Sequence, residues 1–224
     1  MRPHDVHAVI AVKNLDLAKS RLAERLRPEL RARLVLAMLT DTVTAALTVP
    51  RIASVTVVTP DPVVAALSAE LGAAVHPEPR ISDLNAALDD AAAALRRANG
   101  PVELLALQAD LPAVRPEELC AMLAAAPRGR RSIVVDHAGT GTAALYAAGP
   151  AVALDPRFGP GSARAHIAAG ATDLDGDWPG LRRDVDTAVD LERAVELGAG
   201  DATRALLRDI GWSGHVHEAV RRVC

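Results

Sequence analysis

The chain has 224 residues, half of them hydrophobic, with only two Trp, one Tyr and one Phe, and a formal charge of −3. That length fits one larger domain or two small ones, and the apolar content is enough for a core built from Ala, Val and Leu. The slight negative charge excludes a basic nucleic-acid surface, and the scarcity of aromatics removes stacking platforms for single strands.

His7 to Val12 reads as a first strand, and its apolar run is too short for a signal peptide or a spanning segment. The loop after it carries Lys13, Lys19 and Arg21. At the first strand-to-helix turn of a nucleotide-binding sheet, such cations hold phosphate oxygens, Arg as a fork and Lys as a point charge; elsewhere the same run is a solvated basic loop. Pro28 to Leu47 is the longest helical pattern, with a core stripe of Leu30, Leu34, Met38 and Ala45 widened by Leu36, Leu39 and Val43. Ala53 to Thr59 is a β-branched strand. Asp61-Pro62 supplies an N-cap and a proline at the first helical position, and that helix runs to Leu71 before Gly72. Ala73 to His76 is a short strand, with His76 passing into the polar loop Pro77 to Ser82. Asp83-Leu84-Asn85 opens an alanine-rich helix ending near Asn99-Gly100. Asn85 either faces solvent or offers its amide to a base or ribose.

Val102 onward is an apolar run that stops at Asp110, with Pro112 two residues later. This is the pattern of a central parallel strand buried on both faces, ending in a carboxylate. Ligands of open α/β sheets bind outside that end, and a divalent metal carrying phosphates would compensate the buried charge. The plainer alternative is that Asp110 caps the next turn. Pro116 starts a helix through Ala126, on which Cys120 is expected as a buried apolar residue.

Ser132 to Asp136 and Ala143 to Ala148 read as strands around Gly139-Thr140-Gly141-Thr142, where glycines permit close backbone approach and threonines offer donors. A second glycine loop, Asp155 to Gly161, leads into a helix with Ser162 as its N-cap, either an anion site or an ordinary cap. Asp173 to Gly180 is an acidic, exposed loop. Leu181 to Thr187 is a short strand ending in Asp184 and Asp186, and Thr187 caps the helix Ala188 to Leu197. Asp186 either shares a metal with Asp110 or merely neighbours that cap. Asp201 to Ile210 is the last helix, before a tail with Cys224. Neither cysteine has metal spacing and no disulfide framework is indicated, so a reducing cytoplasm is the expected setting, with no nucleic-acid or membrane partner. No linker interrupts the chain, so residues 1–224 are expected to form one domain.

Alternating strands and helices define a doubly wound α/β sheet. Val9 to Lys13 with Ala18 to Leu22, Leu107 to Pro112, Gly139 to Ala143, Arg157 to Ser162, and Asp184 to Thr187 together resemble the guanylyltransferases of deazaflavin coenzyme F-420 biosynthesis, in the family's order and over nearly the whole chain. The resemblance implies a Rossmann-like nucleotidyltransferase of glycosyltransferase A type, with a mostly parallel sheet and a small β-hairpin insertion that binds the acceptor. It implies the reaction of GTP with phosphoenolpyruvate to give enolpyruvyl-diphospho-5'-guanosine and pyrophosphate. Lys13, Lys19, Arg21 and Asp110 are then the expected catalytic residues, Asp110 and Asp186 the Mg²⁺ ligands, Thr142, Gly159 and Ser162 the phosphoenolpyruvate contacts, and Asn85 a nucleotide contact. The Gly-Thr-Gly-Thr form is nearest the members that use phosphoenolpyruvate; 2-phospho-L-lactate and 3-phosphoglycerate are the alternative acceptors. A molybdopterin-type nucleotidyltransferase would carry a glycine-rich Gly-x-Gly-x-Arg first loop, which this chain lacks. A non-catalytic nucleotide-binding regulator has no need of both carboxylates. The labile product implies a transient hand-off to the next transferase.

Overall fold

The computed structural model describes residues 6–13, 15, 19–77 and 83–212. The expected loop at 78–82 and the tail with Cys224 lie outside them. The elements run β1 (Val6–Ala11), α1 (Pro28–Thr48), β2 (Ile52–Thr59), α2 (Pro62–Glu70), β3 (Ala74–Pro77), α3 (Leu84–Asn99), β4 (Glu103–Leu107), α4 (Pro116–Ala125), β5 (Arg131–Val135), β6 (Thr142–Ala147), α5 (Ser162–Ala168), β7 (Thr172–Asp173), α6 (Ala188–Leu197) and α7 (Asp201–Asp209). A 3-10 turn, Ser20–Leu22, follows β1.

The strands form one seven-stranded sheet in the order β3-β2-β1-β4-β6-β5-β7. β1 pairs parallel with β2 and with β4, while β6 pairs antiparallel with both β4 and β5. The expected hairpin is thus part of the main sheet: β6 lies against the central strand. β4 is buried along its whole length, and its side chains alternate between two cores. Leu105 and Leu107 join Ile10, Met38 and Leu119 on one face; Leu104 and Ala106 join Val9, Leu88 and Leu145 on the other. Burial on both faces is what makes its sequence a continuous apolar run. Strand order reverses between β1 and β4, so a crevice opens at their carboxyl ends.

Local chemistry sets the helix ends. Asp61 accepts from Val63 N–H at 2.9 Å and starts α2. Thr187 and Asp190 form a reciprocal capping box on α6, with Thr187 N–H donating to Asp190 at 2.9 Å and Asp190 N–H to Thr187 at 3.2 Å. α7 is capped from another helix: Asp41 of α1 accepts from Ala202 and Thr203 N–H at 3.0 and 2.9 Å.

Six expectations need correction. The regular pairing of β4 stops at Leu107, so Asp110 stands just beyond the strand rather than on it. Residues 181–187 pair with no strand, and the outer edge of β5 pairs with β7 instead. The acidic loop is only half exposed, with Leu174, Trp178 and Gly180 buried. Gly161, with φ of +71°, is the N-cap of α5, and Ser162 is its first residue. His76 lies inside β3 and bonds Asp90 at 2.8 Å. Cys120 is exposed, on the outer side of α4.

Candidate active site

The crevice between β1 and β4 is lined by side chains from three distant parts of the chain. Lys19, at a left-handed backbone position with φ of +54°, aims its ammonium at two carboxylates. It is ion-paired to Asp110 Oδ2, and to Asp186 Oδ1 at 2.9 Å. Arg21, largely exposed, reaches Asp186 Oδ2 at 3.5 Å. Lys13 is exposed at the end of β1 and makes no ion pair among the described residues.

The backbone explains how Asp110 and Asp186 meet. Val185 N–H donates to the Asp110 carbonyl at 3.1 Å. Asp110 itself is fixed from behind by Thr42 of α1, whose hydroxyl accepts from Leu111 N–H at 3.2 Å and lies 3.3 Å from the Ala109 carbonyl. Segment 181–186 has no sheet partner; besides the Val185 bond, its Arg182 carbonyl accepts from His137 N–H at 2.8 Å, and side chains do the rest. Arg182 donates to the carbonyls of Val135 at 2.7 Å and Leu174 at 2.6 Å, and Gly180 N–H donates to Glu118 at 2.9 Å.

Asp184 belongs to the same cluster. Its burial, then the charges of Asp110 and Asp136, push its carboxyl up to about 6, against the pull of His137. His137 Nδ1 is 3.1 Å from Asp184 and Nε2 is 3.0 Å from Asp190, so one ring ties Asp184 to the cap of α6. Burial alone would lower the Lys19 pKa, but Asp110 and Asp186 more than offset it and raise it, so Lys19 stays charged. One oxygen of the cluster is left over: Asp110 Oδ1 is buried without a hydrogen-bond partner. Among the described residues, no group of three or more His, Cys, Asp or Glu is spaced to hold a metal ion. In this arrangement the lysine ammonium is the cation between the carboxylates.

The residues expected at the acceptor form a second cluster beside the first. Thr142 opens β6, and its carbonyl accepts from Gln108 Nε2 at 3.2 Å, two residues before Asp110. Thr142 and Ser162 are each 2 % exposed. The Thr142 hydroxyl contacts His166 Nδ1 at 3.0 Å. The N–H groups of the first glycine loop are not open donors: those of Thr140 and Gly141 donate to Asp136 at 3.0 and 2.8 Å. A Cβ on Gly141 would sit 2.1 Å from Asp136 Oδ2, so the tight loop requires glycine there. At the start of α5, Ser162 N–H donates to the Gly159 carbonyl at 3.1 Å and Ala163 N–H to the Thr140 carbonyl at 3.2 Å. These two N–H groups, expected to face an anion, are therefore already engaged, and the second joins the two glycine loops. Asn85, expected at a base or ribose, instead grips the backbone of Phe158. Its Oδ1 accepts from Phe158 N–H at 2.7 Å and its Nδ2 donates to the carbonyl at 3.0 Å.

The structure thus gathers Lys19, Arg21, Asp110 and Asp186 at one point and Thr142, Gly159, Ser162 and Asn85 at a neighbouring one. Sequence reasoning gave no role to His137, Asp136 or His166. His137 directly follows a strand, and His166 stands one helical turn after Ser162; those placements are the only signals the sequence offers.

A family model described as "Guanylyl transferase CofC like" matches residues 6–223. A phosphoenolpyruvate guanylyltransferase of Nocardia farcinica is 70% identical, over 100% of both chains. One of Rhodococcus erythropolis is 54% identical, over 90% of this chain and 95% of its own. Among solved structures, a nucleotidyl transferase from Methanothermobacter superposes with a TM-score of 0.62 at 19% identity, covering 92% of this chain and 99% of that one. The Rv0371c protein of Mycobacterium tuberculosis, solved with manganese, superposes with a TM-score of 0.53 at 19% identity, covering 86% of this chain and 98% of that one.

Proposed function

Because the chain belongs to the CofC-like guanylyl transferase family, we propose that it joins the guanylyl group of GTP to phosphoenolpyruvate, releasing pyrophosphate and enolpyruvyl-diphospho-5'-guanosine for coenzyme F-420 biosynthesis. The observation that carries this reading at the site is Asp110: a carboxylate just past the central strand, with one buried oxygen unpaired, beside a second carboxylate and two cations. An orphaned carboxylate oxygen in an anionic cluster fits a divalent cation. Asp110 and Asp186 would hold Mg²⁺. When bound, that ion would supply neutralising charge to phosphate oxygens.

The remaining work falls to the chain's own residues. The acceptor phosphate is already an anion, so no general base is required. The barrier is the approach of two anions and the charge spread over the transferring phosphoryl group. Lys19, Arg21 and the exposed Lys13 neutralise the triphosphate from the β1 side. Thr142, Gly159 and Ser162 seat the phosphate and carboxylate of the acceptor from the β6 side. Asn85 acts on the acceptor side by fixing Phe158, next to Gly159.

The test is a matrix of purified protein with each NTP, Mg²⁺, and phosphoenolpyruvate, 2-phospho-L-lactate or 3-phosphoglycerate, read as pyrophosphate release. GTP with phosphoenolpyruvate is the expected productive pair. Turnover confined to 2-phospho-L-lactate would move the acceptor assignment, and silence in every combination would overturn the reading.

A further inference from the structure

The loop that bears Gly159 has an unusual backbone. Asp155, Gly159 and Gly161 take φ of +48°, +135° and +71°, and the first has a side chain that resists that region. Such a loop keeps its shape only if other groups impose it. Asp155 is tied to Arg131 of β5 and to Arg157, the latter at 3.2 Å. Asn85 holds both backbone polar groups of Phe158. The third tie is His166, which is 1 % exposed and has no part in the chemistry above.

The roles of its two ring nitrogens follow from their partners. Arg157 N–H points at Nε2 across 2.8 Å. A backbone N–H can only donate, so Nε2 accepts, and a neutral ring then carries its proton on Nδ1. Nδ1–H faces the Thr142 hydroxyl at 3.0 Å, leaving the hydroxyl hydrogen for another acceptor. The Phe158 ring stands edge-on to the imidazole, with centroids 5.3 Å apart at 75°, which fixes the ring plane. Taken together, we propose that His166 is a positioning residue: locked in its neutral Nδ1–H form, it joins Thr142 of β6 to the Arg157–Ser162 loop and so sets the spacing of the acceptor-binding groups.

The charged groups facing it are Asp155, Arg131 and Arg157. Burial, with the help of the two arginines, pulls the imidazole down to about 4 against the Ser162 carbonyl and Asp155, so the ring keeps the required form at neutral pH. The proposal rests on the reading of Thr142, Gly159 and Ser162 as the acceptor site; the geometry of the tie does not.

Three variants separate the two ends. His166→Gln can still accept from Arg157 N–H, His166→Asn can still donate to Thr142, and His166→Phe does neither. The expected result is a rise in the KM for phosphoenolpyruvate of roughly tenfold or more in His166→Phe, with the other two between it and wild type, while the KM for GTP stays within about twofold. Equal rises in both KM values, or loss of folded protein alone, would make His166 a structural residue and overturn the proposal. A second readout needs no turnover. In ¹⁵N-histidine-labelled protein, the resonances lost in His166→Asn should show a protonated Nδ1 and a bare Nε2 at pH 7. The opposite tautomer, or a mixture, would remove the tie. If that signature is present but no phospho-acid releases pyrophosphate, the functional reading fails and the tie stands.

Discussion

At Lys19, one ammonium separates two carboxylates that would otherwise repel each other in a partly buried crevice. Lys19→Ala is therefore expected to lower the metal-free melting temperature, by the equivalent of about 3 kcal/mol, and Mg²⁺ should restore more stability to the variant than it adds to wild type. Paired thermal scans with and without the ion measure this; a variant that melts higher without metal would contradict it. Asp110→Asn is expected to keep the fold and to lose metal-dependent pyrophosphate release, at least about a hundredfold. Chelation of wild type should produce the same silence, reversed by adding Mg²⁺ back.

His166 gives a pH prediction. Its folded pKa, about 4, lies below its unfolded value, so the unfolded chain binds more protons between those limits. Stability is then complete above about pH 6.5 and falls as pH drops toward 4, by about 3 kcal/mol in full. Urea midpoints from pH 7 to 5 should fall more steeply for wild type than for His166→Asn. Equal slopes would remove this contribution. At this scale the sequence placed the cations and carboxylates at the ends of strands, where their types carry meaning. It could not show that Asn85 and Thr142 have protein partners, because those partners, Phe158 and His166, come from other segments.

Among the elements, α2 and α6 are legible because their caps are local: Asp61-Pro62 and Thr187 with Asp190 need no knowledge of the fold. Segment 181–187 misleads for a related reason. Asp184-Val185-Asp186 fits the two-residue period of a strand, but the outer edge of β5 pairs with β7 instead. What holds the segment is Arg182 and the close fit of Gly180 to α4 and the turn before it. A Cβ on Gly180 would stand 2.1 Å from the Ala113 carbonyl oxygen and 2.7 Å from Glu118 Oε2. Gly180→Ala should therefore cost about 1–3 kcal/mol and lower kcat through displacement of Asp184 and Asp186. Denaturant titration with steady-state kinetics tests both, and an alanine variant of wild-type stability would show that the backbone there yields easily.

For the whole molecule, the topology puts the crevice where the strand order reverses, between the parallel neighbours β1 and β4. Alternation of strands and helices foretells a doubly wound sheet, but not which strand neighbours which. The pairing of β6 with β4 joins residues some forty positions apart, and no local pattern announces it. β4 is buried on both faces, and its far side is covered only by β6, which is made after β5. During synthesis, then, the ribosome releases a half-built sheet whose middle strand has an open, apolar flank until Thr142–Ala147 arrives. Products terminated ahead of Thr142 keep that flank bare and should precipitate, whereas trimming the polypeptide behind α7 leaves the ladders that join β1 to β7 intact.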